Sequence, residues 1–416
     1  MNAYVIITRH HFSPWIALSL IAVAEILTLS VWFSASVVAT PLEHQWHMNS
    51  VEVALLTASV QLGFAVGALV SSLTGIADRF RARTIFSTAA VAGAVVNGLF
   101  IMSNSWEVGM FLRILTGVTM VGVYPIAVKI VTEWSPVRRG TAVGILVAAL
   151  TLGSALPHLI LLLGLAAPWQ ITVLASSILA LGGAAIIAFV LPDSPVARQD
   201  TITKVSLDSL RHVLKNKAGL LADYGYFGHM WELYAMWVWF PVFAYASLIA
   251  NHSHRTAAAA AAALIGFLVI GVAGAIGSVT GGLLSDKIGR TAVTIIAMAI
   301  SGLCALTIGL TYRGPSWIQI ALGLVWGVSV IADSAQFSTA VTELSEPQYL
   351  GTALTLQTAV GFLISIVSIN LIVATKDLLG WEWALAPLSI GPFLGVYAMS
   401  RLRANPASLV MANGRR

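Results

Sequence analysis

The run GGLLSDKIGR (281–290) answers the run TGIADRFRAR (74–83) from the first half of the chain, with Asp286, Lys287 and Arg290 matched by Asp78, Arg79 and Arg83. Working outward, other elements repeat at nearly the same offset. Glu25 stands seven residues before Trp32-Phe33, and Glu232 stands seven residues before Trp239-Phe240, a spacing of 207 in a chain of 416. The run VTEWSPVRRGTA (131–142) is echoed by VTELSEPQYLGTA (341–353), which aligns Glu133 with Glu343. A duplicated chain with carboxylates at matching places predicts two halves that enclose a site between them.

What separates these motifs is oil-like. Apolar residues make up 58% of the chain and charged residues 9%, against about 25% charged in soluble domains. The apolar residues fall in runs near the ~20 residues that cross a bilayer core. Twelve are predicted, at 16–40, 51–75, 84–103, 107–133, 140–164, 169–191, 222–250, 257–283, 292–311, 316–342, 350–374 and 382–401. The expected class is an all-α integral membrane protein in two six-helix halves, 1–191 and 222–416, joined by a linker at 192–221. In that linker Leu207, Leu210 and Leu214 recur at helical spacing among Arg211, Lys215 and Lys217, the pattern of an amphipathic helix at a membrane surface.

Basic residues set the orientation. With both termini in the cytoplasm, 17 of the 22 Lys and Arg lie on that side, three (Arg255, Arg313, Lys376) lie opposite, and Arg113 and Lys129 lie within helices. The net charge of +5 then reflects topology, not nucleic-acid binding. Compact loops suggest a bacterial inner membrane. One cysteine, Cys304, excludes an internal disulfide, and neither a metal cluster nor a nucleotide-binding loop is present in the sequence. No cofactor and no enzymatic reaction is expected. The first apolar run is too long for a secretory signal and is read as a retained helix.

The motifs resemble those of the major facilitator superfamily over essentially the whole chain. Gly282-Leu283-Leu284-Ser285-Asp286-Lys287-Ile288-Gly289-Arg290 is a near-complete copy of that family's loop motif, G-x-L-a-D-r-x-G-r. The first copy is degenerate, with Thr74 and Arg81 in place of the two glycines. The family's fourth-helix arginine, followed four residues later by glycine, is matched by Arg113 and Gly117. The resemblance implies a monomeric permease working by alternating access, with the first and fourth helices of each half lining the cavity. Nearly all intramembrane charges fall on those helices.

Candidate transport residues follow. Glu25, about 14 Å into its helix at 1.5 Å per residue, shares a face with Trp32; Glu232 and Trp239 occupy the matching positions. A carboxyl group at membrane depth needs a partner or a purpose, and carrying a proton is one such purpose. Arg113, with Gly117, Met120 and Tyr124 on its face, can neutralise either glutamate or grip an anionic substrate. Asp333, with Gln336 and Phe337 one turn on, is a further cavity acid. His229 can share a proton with Glu232, and His158 marks a kink beside Pro157. Lys129 is expected to snorkel or pair locally with Glu133.

At the cytoplasmic ends, Asp78 is expected to meet the start of the eleventh helix and Asp286 the start of the fifth, near Gly140-Thr141, through the open helix N-termini. The loop bases Arg79, Arg83, Lys287 and Arg290 are expected to pair with Glu133 or Glu343, forming a gate. Segment five has no Gly-Pro pair of the drug-antiporter type, and the glycine- and asparagine-rich nitrate-type signature is absent. The chain has the general look of members near the cyanate and nitrate permeases, so a small organic or inorganic anion is the leading substrate. Proton-driven export of an amphiphilic compound is the alternative, and a non-transporting sensor a remote one.

Overall fold

The computed structural model describes residues 12–135, 139–164, 167–194, 207–346 and 348–415, the side chains of 77–78, 139–140, 207–208 and 413 excepted. Among the described residues all regular structure is helical. Eleven helices are long and apolar enough to cross a membrane: spans two to six at Ser50–Thr74, Ala82–Met102, Trp106–Trp134, Thr141–Leu163 and Trp169–Val190, and spans seven to twelve at Lys217–Ala250, Arg255–Ile288, Arg290–Thr311, Ser316–Leu344, Leu350–Leu379 and Trp381–Ala404. Span one, Pro14–Leu29, is a shorter apolar helix of 16 residues. Together they form two six-helix bundles.

Helix ends follow local chemistry. Ser13 accepts from the Trp15 amide at 3.3 Å and Pro14 opens span one, where its missing N–H costs nothing. Asn49 and Glu52 form a reciprocal capping box at span two, with bonds of 2.8 to 3.0 Å. That span ends at Gly75, whose φ of 65° lies in the left-handed region glycine tolerates.

The expectation of one apolar segment over 16–40 needs correction. The helix ends at Leu29, turns through 30–35, and resumes as a 3-10 turn at Ser36–Val38 and a helix at Ala39–Trp46. Hydropathy stays high through the break, but hydroxyls compete for the backbone. Ser30 Oγ donates to the Leu27 carbonyl at 2.6 Å and Ser34 Oγ to that of Val31 at 3.0 Å. Spans four and ten break at corresponding places, between Trp106–Met120 and Tyr124–Trp134 and between Ser316–Ala332 and Ser334–Leu344. Tyr124 and Asp333 stand at those breaks. Span seven starts at Lys217, earlier than expected, preceded by the short helix Leu207–Lys215. His212 of that helix stacks on Tyr349 at 4.6 Å.

Glycine sets how closely the cavity helices approach their neighbours. A Cβ on Gly117 of span four would collide with the Val60 carbonyl of span two, and one on Gly327 of span ten with the Val269 carbonyl of span eight. The same contact recurs in both halves, as close small-residue packing between membrane helices requires. The bundles meet along spans two and eleven and spans five and eight. Thr355 Oγ1 lies 3.0 Å from Ser72 Oγ, Ser278 Oγ donates to the Gly144 carbonyl at 3.0 Å, and Thr151 Oγ1 donates to that of Gly271 at 3.3 Å.

Candidate functional site

Three spans and one turn bring aromatic rings together where the bundles face each other. Trp32 stacks on Tyr234 with centroids 5.9 Å apart and planes 17° from parallel. Phe64 and Phe362 flank it at 5.2 and 5.8 Å and touch each other at 4.5 Å. Phe33 meets Trp237 edge-on at 5.9 Å. These rings come from spans two, seven and eleven and from the turn after span one, which aims Trp32 and Phe33 across the seam. The Trp32 Nε1–H is buried with no hydrogen-bond partner.

Glu25 lies one helical stretch below that turn and is 0% exposed. Neither of its carboxyl oxygens has a hydrogen-bond partner among the described residues. An isolated buried carboxyl is costly unless it stays neutral or finds a partner in another state.

Arg113 is placed differently from a free cation. Its Nη1 donates to the Val31 carbonyl at 2.9 Å and to Asn97 Oδ1 at 3.0 Å, while Nη2 donates to the Trp32 carbonyl. These are carbonyls released by the break after span one, and the planar guanidinium serves several at once. Asn97 completes the knot: it accepts from Ser34 Oγ at 2.7 Å and donates to the Val173 carbonyl at 3.1 Å and Ser177 Oγ at 3.0 Å. Sequence reading missed Asn97. Its signal was a buried amide in an otherwise apolar third segment.

In the second bundle the matching glutamate has the opposite surroundings. Glu232 Oε1 accepts from Trp326 Nε1 at 2.7 Å and Oε2 from Ser301 Oγ at 2.8 Å, which ties spans seven, nine and ten together. Trp239 Nε1 donates to the Ile369 carbonyl at 2.8 Å, inside an unbroken helix. His229 pairs with Asp333 instead of Glu232: its Nδ1 lies 2.9 Å from Asp333 Oδ1, both side chains being buried. Gln357 Nε2 donates to the buried Asp223 at 2.9 Å, a further polar tie that the sequence did not signal. His158 packs against Gly266 of span eight.

At the ends carrying the loop bases, Arg290 grips Glu343 through two parallel bonds of 2.8 and 2.7 Å and reaches Gln336 Oε1 at 3.1 Å. Gln336 is thereby turned toward this network. The C-terminal turn Pro406–Gly414 joins it: the Ala412 amide donates to Glu343 at 3.3 Å, and Arg415 donates to the Asp286 carbonyl. Arg83 turns elsewhere, to Asp193 at 2.9 Å and to the Ile187 and Ala188 carbonyls at 3.2 and 2.9 Å at the π-helical end of span six. Asp286 and Lys287 are exposed, as is Arg79. Lys129 and Glu133 both have polar or charged partners. The Asp78 side chain lies outside the described residues, as do those of Arg139 and Gly140, where Asp286 was expected to dock.

The sequence profile of the Major Facilitator Superfamily matches residues 21–369. The chain is 26% identical over 259 residues to a probable sulfoacetate transporter of Cupriavidus necator, covering 57% of this chain and 58% of that one. It is 28% identical over 131 residues to a niacin transporter of Acinetobacter baylyi, covering 29% of each. The aligned parts thus span under two thirds of these relatives' lengths. The nucleoside transporter NupG, solved as a point mutant, superposes with a TM-score of 0.71 at 12% identity, covering 93% of this chain and 99% of that one. That likeness is one of fold.

Proposed function

The chain belongs to the Major Facilitator Superfamily, and on that footing we propose that it is a proton-coupled secondary transporter of a small organic solute, working by alternating access. It is a transport protein, not an enzyme. The observation that carries the coupling is Glu25: wholly buried, with both oxygens unpartnered. An ionised carboxylate in that setting is untenable, so the side chain passes through the closed arrangement with its proton and releases it when the bundles part. Glu232 has its hydrogen-bond partners already and serves as a tie between helices.

The solute's body sits among Trp32, Phe64, Tyr234 and Phe362, whose faces suit a flat or apolar group. Relatives named for sulfoacetate and niacin favour an organic acid. The aromatic walls also favour the second reading, export of an amphiphilic compound. Seventeen basic residues against three favour an orientation with both termini in the cytoplasm, in a bacterial inner membrane. Arg290, Glu343 and the loop motifs act as the gate on that side.

Proteoliposomes test this reading. Under an imposed pH gradient the wild type accumulates labelled sulfoacetate or niacin, and Glu25→Gln equilibrates the same solute without accumulating it. Gradient-driven accumulation by Glu25→Gln equal to wild type would overturn the assignment.

A further inference from the structure

Resting on the transporter reading, we propose that the imidazole of His229, oriented by Asp333, holds the anionic end of the substrate, so that the cargo is a small organic acid bearing a carboxylate or sulfonate. The pair is fully inside the protein, with side-chain exposures of 1% and 2% and Nδ1 2.9 Å from Asp333 Oδ1. With Nδ1 at ion-pair distance from the carboxylate, the second ring nitrogen is the one open to a further partner. Nε2 is buried and has no hydrogen-bond partner, an expensive condition for a polar atom that no neighbouring side chain relieves. An imidazole that carries both protons donates from both nitrogens, one to the carboxylate and the other to a ligand. The second nitrogen then offers a charge-assisted hydrogen bond to an oxyanion.

The other cationic candidates in the membrane interior are engaged or differently placed. Arg113 holds the broken end of span one. Lys129 is engaged by another group. His158 packs on Gly266, and its Nδ1 also lacks a hydrogen-bond partner, but no ion pair orients its ring among the described residues.

Position agrees with this role. His229 lies between Tyr226 and Phe337, with centroids 6.2 and 5.6 Å away. Tyr234, which stacks on Trp32, follows five residues later in the same helix, about 7.5 Å along its axis.

The test is a binding series on detergent-purified full-length protein with no gradient, so that it reads the anchor independently of coupling. The probes are benzoate, benzenesulfonate and benzamide, which share a ring and differ in charge. Wild type is expected to bind the two acids at least tenfold more tightly than the amide. His229→Gln should abolish that preference while leaving benzamide affinity in place, which a merely structural role would not do. Asp333→Asn should reduce the preference by an intermediate factor, and it carries the test if His229→Gln does not fold. No binding of either acid to wild type, or an undiminished acid preference in both variants, overturns the proposal. Loss of gradient-driven accumulation in Glu25→Gln is a separate result and leaves this one standing.

Discussion

At the scale of single residues, two glutamates in matching sequence positions have unlike surroundings. Glu232→Ala strips partners from Trp326 and Ser301 and is expected to cost about 2–4 kcal/mol. Glu232→Gln, which can accept from the indole and donate to the hydroxyl, should cost under about 1 kcal/mol by the same reasoning. Thermal unfolding of the purified variants, referenced to Glu25→Gln, checks both values. Arg113→Lys replaces a fork with a point charge that cannot serve Val31, Trp32 and Asn97 together. A loss of about 2–4 kcal/mol is expected, and a melting temperature equal to wild type would refute this structural role. Sequence reading found the ionisable residues and paired Arg290 with Glu343, but it did not find the partners of those deeper in the membrane. Two acceptors of Arg113 are backbone carbonyls freed where span one breaks, the third is Asn97 Oδ1, and Asp333 reaches His229 from a separate helix.

At the scale of helices, most of the fold was legible because hydropathy and length are local properties. Eleven of the twelve spans follow from runs of apolar residues near 20 in length. The exception was instructive: 30–35 is as apolar as its flanks, and its turn is bound by Ser30, Ser34 and a distant arginine. The glycine contacts also escaped reading, since a membrane helix tolerates many glycines and only the packed structure shows which face a neighbouring carbonyl. Gly117→Ala and Gly327→Ala should each push span four from span two, or span ten from span eight, at a cost of about 1–3 kcal/mol. Gly282, whose Cβ would meet nothing within 4 Å, is the control; Gly282→Ala should unfold at the wild-type temperature.

At the scale of the whole molecule, the proposed alternating access would part the bundles along spans two and eleven or spans five and eight, where they meet. Ser72 and Thr355 face each other across the first of these seams with hydroxyl oxygens 3.0 Å apart, a spacing within reach of a disulfide. In a Cys304→Ser background, Ser72→Cys with Thr355→Cys should cross-link on oxidation and reduce uptake at least tenfold, with recovery on reduction. Undiminished uptake by the oxidised pair would mean that this seam stays closed throughout the cycle. The repeat that revealed the two bundles in the sequence also conceals a difference. Only the first Trp-Phe copy lies in a turn; the second runs on through continuous helix. No rotation exchanging the bundles can therefore superimpose the lumen on itself. A passing molecule meets a bare acid from one wall and a filled socket from the other, so its entry and its exit need not retrace the same steps.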